Sequence, residues 1–110
     1  MPEITPVQIT DANFEAEVLR SPLPVLLDFT SAWCSPCRTI APHVHALASA
    51  YQGRARVGTC DVDTNPATVQ ALEIRGMPTL LMFKGGQVVG QLVGAVPRAK
   101  IEALMAKARP

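Results

Sequence analysis

Residues 26–37 read LLDFTSAWCSPC: two cysteines three positions apart, preceded by a carboxylate set inside an apolar run. Thiols at that spacing on one helical turn lie close enough to close a small disulfide ring. With Cys34 at the start of a helix, the positive end of the helix dipole and peptide N–H groups without partners inside the helix both favour thiolate over thiol. Cys34 is then a nucleophile, and Cys37, one turn further in and more shielded, suits the part of resolving thiol. A C-x-x-C pair is also half of a zinc site, and His43 and His45 follow closely. On a helix those histidines stand roughly 200° apart, and His45 lies roughly 12 Å along the axis from Cys37, so neither completes a tetrahedron with both thiolates. Redox chemistry is the better reading, and no metal is expected. Asp28 raises a separate question: why an acid is buried just upstream of two thiols.

The flanking sequence supplies the elements that must hold these groups. VLLDF, 25–29, reads as a strand whose near-continuous apolarity suits a sheet covered on both faces. From Cys34, the residues Ile40, Val44, Leu47, Ala48 and Tyr51 recur at the spacing of one helical face, predicting a helix over 34–52 with Gly53 as its stop. Pro36 is tolerable near its first turn, whereas Pro42 removes an interior hydrogen bond and predicts a kink. Upstream, Thr10 can cap a helix over 11–20, with Ile9 and Phe14 as a hydrophobic staple. Downstream, 55–63 reads as a second strand, and Asn65-Pro66 opens a short helix ending at Gly76. TLLMF and VVGQLVG, joined by Lys84-Gly85-Gly86-Gln87, predict an antiparallel hairpin, and a last amphipathic helix covers 97–108. This alternation is α/β, a mixed sheet with helices on both faces. In such sheets ligands gather at the carboxyl ends of parallel strands, where the loop after Asp28 carries the cysteines.

The chain has 110 residues, 48% of them hydrophobic and 17% charged, which fits one domain over 1–110 and excludes disorder. A net charge of +1 with no long run of like charges gives no reason to expect nucleic acid or an anionic membrane surface. No apolar run approaches the roughly 18 residues of a membrane span, and the amino terminus lacks signal-peptide features, so the expected location is cytoplasmic. Three cysteines, one of them the isolated Cys60, do not form the even framework of a small secreted protein.

DFTSAWCSPC, IAP, YQG, DVDTNP, IRGMPTLLMFKGG and VGA, in this order, make the chain resemble the thioredoxins from end to end. The resemblance implies a five-stranded mixed sheet flanked by four helices, β1α1β2α2β3α3β4β5α4, with no bound cofactor. It implies a protein-disulfide reductase, in which Cys34 attacks a target disulfide and Cys37 resolves the mixed disulfide. A thioredoxin reductase using NADPH would restore the dithiol, and the chain would act as a monomer. Asp28 matches the family's buried acid, with a pKa raised by low dielectric and a proton to exchange with Cys37. Met77-Pro78 matches the family's cis proline beside the disulfide. Gly76, Met77 and Pro78, with Trp33, Ser35, Pro36, Val62 and Val93-Gly94-Ala95, match an apolar surface that docks extended substrates. Two other readings compete: an oxidant or isomerase of opposite redox poise, and a binding module that uses the same surface without turnover.

Three positions depart from the family pattern. Ser35 stands between the thiols where glycine is commonest, Thr30 replaces a tryptophan near the active-site loop, and Thr59 replaces a lysine beside the buried acid. Loss of that cation predicts a higher Asp28 pKa than in lysine-containing relatives. Strand alternation puts Thr59 and Cys60 on opposite faces, and the resemblance implies that the Thr59 side is toward Asp28, which turns Cys60 away from the redox pair as a buried structural thiol.

Overall fold

The computed structural model describes residues 4–108. In chain order the elements are β1 (Val7–Gln8), α1 (Glu15–Leu19), β2 (Val25–Thr30), α2 (Ser35–Ala50), β3 (Arg56–Asp61), α3 (Pro66–Ala71), β4 (Thr79–Lys84), β5 (Gln87–Val93) and α4 (Arg98–Ala106). The sheet runs β1-β3-β2-β4-β5. β1 and β2 lie parallel to β3, while β4 is antiparallel to β2 and β5 antiparallel to β4. This is the mixed five-stranded, four-helix architecture that the sequence implied.

β2 is central because both its faces are apolar. Val25, Leu27 and Phe29 point into one layer with Ile9, Val18, Cys60, Leu81 and Phe83, over which Phe14, Val69 and Leu72 pack. Leu26 points into the other, with Ile40, Val44 and Leu47 of α2 and Ile101 and Leu104 of α4. Alternation along a strand with two buried faces therefore produces the continuous apolar run seen in the sequence.

Several boundaries differ from expectation, each for a local reason. The helix expected over 11–20 is confined to Glu15–Leu19 and is wide, with Arg20 N–H donating to Glu15 C=O, five residues back. The expected first turn keeps a helical bond, Phe14 N–H on Thr10 C=O at 2.9 Å, but lies outside that wide segment. Thr10 and Asn13 cap each other, with Asn13 N–H on Thr10 Oγ1 at 3.2 Å and Thr10 N–H on Asn13 Oδ1 at 2.7 Å, while Asp11 reaches across to α3. The Asp11 carboxylate accepts from Ala67 N–H, Thr68 N–H and Thr68 Oγ1, so this cap of α3 comes from 57 residues upstream of Thr68. The helix expected to end at Gly76 stops at Ala71, because Glu73 takes the left-handed conformation at φ +54° and Ile74 N–H folds back to Val69 C=O. The strand expected over 55–63 ends at Asp61, whose Oδ1 captures Asp63 N–H at 2.9 Å and turns the chain. α2 ends at Ala50 with Tyr51 as its cap and runs unbroken through Pro42. Pro97 caps α4, whose first residue is Arg98.

The hairpin turn places both central glycines at positive φ, Gly85 at +59° and Gly86 at +79°, as a two-residue turn matched to strand twist requires. The register slips between Met82 and Phe83, a bulge that bends the outer strand β5.

Candidate active site

Topology alone gathers four segments at one edge of the sheet. β2 runs out to Thr30 at the edge where β3 ends, and Val62 N–H donates to Thr30 C=O at 2.9 Å. β4 enters from the same edge, with Thr79 opposite Phe29, so Gly76-Met77-Pro78 lies just outside it. β5 returns there, with Val93 opposite Thr79 and Gly94 N–H donating to Pro78 C=O at 2.9 Å. The cysteine loop, Val62, the Met77–Pro78 turn and Val93-Gly94-Ala95 thus converge.

Cys34 caps α2 in extended conformation, with Ser35 and Pro36 as the first helical residues. Proline is favourable there because its missing N–H would have no partner within the helix. The Cys37 N–H instead points at Cys34 Sγ, 3.1 Å away, so an amide donor and the helix dipole both face this sulfur. Cys34 and Cys37 form a disulfide with Cα atoms 5.2 Å apart. The two sulfur-bearing residues are unequal: Cys34 is half-buried, and Cys37 is only 2% exposed. A macromolecular substrate can reach the first and not the second.

Asp28 is 2% exposed, and its Oδ1 has no hydrogen-bonding partner in the protein. Burial pushes its pKa up from 3.8 to about 7. Asp28 follows Leu26 on the face that packs against α2, and on α2 the buried series Val44, Ile40, Cys37 runs toward the same edge. The acid and the buried cysteine are therefore next in line in one layer. Thr59 is the register partner of Asp28 on β3, and Cys60 falls in the opposite layer with Phe29. Burial, with the carboxylates of Asp11 and Asp61 adding to it, raises the Cys60 thiol to about 11, so it stays protonated at neutral pH. Thr30 and Thr59, two of the departures noted above, together wall a polar cavity of about 280 Å³ with Gln8, Asp61 and Asn65.

The remaining candidates divide by exposure. Trp33 is 89% exposed, and Ser35, Pro36, Met77, Val93 and Ala95 are exposed with it. Val62, Gly76 and Gly94 are half-buried, and Pro78 is buried. The Met77–Pro78 bond is cis, and the Thr79 hydroxyl donates to Gly76 C=O beneath it. A Cβ at Gly76 would stand 3.1 Å from Val93 Cγ1, so the turn packs closely on β5. Sequence reasoning missed Ser31 and Asp63. Ser31 is 7% exposed; its hydroxyl donates to Asp63 Oδ2 at 2.8 Å and accepts from Trp33 N–H at 3.2 Å. A serine two residues before a loop aromatic is a known backbone-capturing pattern, but its partner 32 residues on leaves no local signal.

A half-exposed cysteine at a helix start, disulfide-bonded to a buried neighbour, on a sheet edge rimmed by apolar side chains, defines a thiol–disulfide oxidoreductase. Comparison with known proteins agrees. Residues 5–107 match the family model described as Thioredoxin. A thioredoxin of Synechocystis is 45% identical over 91% of this chain and 94% of its own length. Thioredoxin C-2 of Corynebacterium nephridii is 46% identical over 92% and 94%, and a thioredoxin of Haemophilus influenzae 43% over 86% and 89%. The chain belongs to the thioredoxin family. Among the described residues, no helix is long and apolar enough to cross a membrane.

Proposed function

We propose that the protein, acting as one domain over its whole length, reduces disulfide bonds in other proteins. The observation that carries this reading is the unequal cysteine pair at the start of α2, one sulfur accessible and the other enclosed. In the reduced protein, the Cys34 thiolate attacks one sulfur of the substrate disulfide and expels the other as a thiolate, which takes up a proton. Asp28, as carboxylate, accepts the proton of Cys37. The Cys37 thiolate then attacks Cys34 Sγ, closes the intramolecular disulfide and releases the second substrate thiolate. Two electrons pass from the dithiol to the substrate. The apolar rim of Trp33, Pro36, Val62, Met77 and Val93 holds an extended segment of substrate next to Cys34, and the peptide edge at Met77 pairs with it as a short added strand. A thioredoxin reductase drawing on NADPH restores the dithiol. The protein works as a monomer in the cytoplasm.

The test couples reduction of a disulfide-bonded protein to NADPH and a thioredoxin reductase, with the reduction potential measured alongside. A potential near that of thioredoxin, about −270 mV, supports the reductase; one near about −180 mV transfers the protein to the oxidants and isomerases. Cys34→Ser that folds but keeps full function would favour the binding-module reading. Cys37→Ser accumulates mixed disulfides with targets, and their absence would overturn the assignment of attacking and resolving thiols.

A further inference from the structure

The loop that carries the nucleophile has a device holding it that the chemistry above does not use. Trp33 sits immediately before Cys34 with its ring almost wholly in solvent, so no packing fixes its place. Its backbone is tied instead. The buried Ser31 hydroxyl accepts from Trp33 N–H and donates to the Asp63 carboxylate, while Ser31 C=O accepts from Cys34 N–H at 3.2 Å. Asp63 is itself held, its N–H bonded to Asp61 Oδ1 in the turn that closes β3. One hydroxyl therefore joins the β2–α2 loop to the β3–α3 loop through a charge-assisted hydrogen bond. Arg38 adds a separate tie from α2, donating to Ala32 C=O at 3.2 Å.

We infer that Ser31 and Asp63 form a latch that fixes the backbone of Trp33, and that they are positioning residues for the docking of protein substrates. The latch matters because Trp33 can offer a substrate a preorganised aromatic face only if its backbone is already ordered; otherwise binding bears the cost of ordering the loop. The inference rests on the proposed docking role of Trp33. The hydrogen-bond geometry also separates acceptor from charge: Asp63→Asn keeps an oxygen for the Ser31 hydroxyl, and Asp63→Ala does not.

Trp33 is the only tryptophan of the chain, so its fluorescence anisotropy reads the loop directly. Ser31→Ala and Asp63→Ala lower that anisotropy and raise KM for a protein disulfide about five-fold, the scale of one net hydrogen bond. The double variant goes no further than either single one, and Asp63→Asn restores anisotropy and KM. Additive effects, or unchanged anisotropy in Ser31→Ala with its fold intact by circular dichroism, overturn the latch. Trp33→Ala separates the two layers of the argument. An unchanged KM there defeats the docking role itself, whereas a raised KM there with normal KM in Ser31→Ala defeats the latch alone.

Discussion

Replacing Asp28 by asparagine should make the protein more stable, by an amount that depends on pH in a way burial alone dictates. Asp28 titrates near 7 when folded and near 3.8 when unfolded. Below pH 3.8 the carboxyl is neutral in both states and contributes no difference. Between 3.8 and 7 the unfolded chain ionises while the folded protein keeps its proton, so stability falls as pH rises. Above 7 both states are ionised, and the loss is complete. At about 1.36 kcal/mol per pH unit, the interval from 3.8 to about 7 amounts to about 4 kcal/mol, a large part of the 5–15 kcal/mol typical of a domain. The assay is denaturant unfolding of the oxidised protein and of oxidised Asp28→Asn from pH 4.5 to 9. Oxidation removes Cys34 and Cys37 from the titration, and Cys60, raised to about 11, stays outside the window. The amide may be given any constant offset for its own burial; what counts is that the stability gap between variant and parent widens through pH 7 and then levels. Parallel curves across that range would refute the claim that a buried carboxylate, its Oδ1 without a hydrogen-bond partner, is held in the fold.

Thr59→Lys should send an ammonium group into the cavity of about 280 Å³ beside the register partner of Asp28, lowering the Asp28 pKa by at least about one pH unit; carboxyl NMR reads the titration, and an unchanged value removes the argument from the missing cation. Asp11→Ala deletes the cap that joins the first turn to α3. Because its hydrogen bonds to Thr68 and Ala67 hold Asp11 below 3.8, that stabilisation is present above 3.8 and disappears as pH falls through the folded value. The melting temperature of Asp11→Ala should therefore fall below the parent's at pH 6, with the two converging as pH falls below 3.8. Gly86→Ala should cost more than Gly85→Ala when both are measured by chemical denaturation. Each forces a side chain into the left-handed region, at about 1–2 kcal/mol, but only at Gly86 would the new Cβ meet a backbone oxygen, that of Leu19, at 2.8 Å. Equal losses would mean that the hairpin moves freely away from α1.

Much of this site was legible because its signals are short-range. The cysteine spacing, the proline two residues into the helix and the apolar strand around Asp28 each express a local rule, and each recurs in the fold at the expected place. The pattern failed where a distant group overrides a local preference. Nothing near Asp11 announces that its carboxylate will cap a helix through Thr68, 57 residues later. Glu73, two residues past the end of α3, takes a conformation usually left to glycine, so no glycine marks the stop before Gly76. β1, only two residues long and exposed, carries no periodicity to detect, and Gly58 of β3 leaves room for the chain there: a Cβ would stand 3.2 Å from the Val7 carbonyl oxygen and 2.8 Å from Cγ1 of Ile9, just beyond β1. Ser31 and Asp63 escaped for the same reason as Asp11, since a pair distant in sequence leaves no mark in either neighbourhood.

The position of the Asp28 titration says more about the proposed chemistry than its burial does. A carboxylate at its ordinary value of 3.8 would be ionised throughout the physiological range, but it would be a weak base toward an ordinary thiol, for which the reference value is about 8.5. Held near 7, it is several pH units better matched to that thiol, and at neutral pH both its protonated and ionised forms are well populated. The redox cycle proposed above needs both: in it one form accepts the proton of Cys37 as the disulfide closes, and the other returns it when the disulfide is reduced. The sheet reaches this value by exclusion, placing Asp28 between Leu26 and the carboxyl edge without a hydrogen-bond partner for Oδ1. A partner that donated to that oxygen would stabilise the charged form, recover part of the lost stability and pull the pKa back down. On this reasoning the destabilisation near neutral pH and the usefulness of Asp28 as a base have one cause, and a substitution that relieves the first must weaken the second.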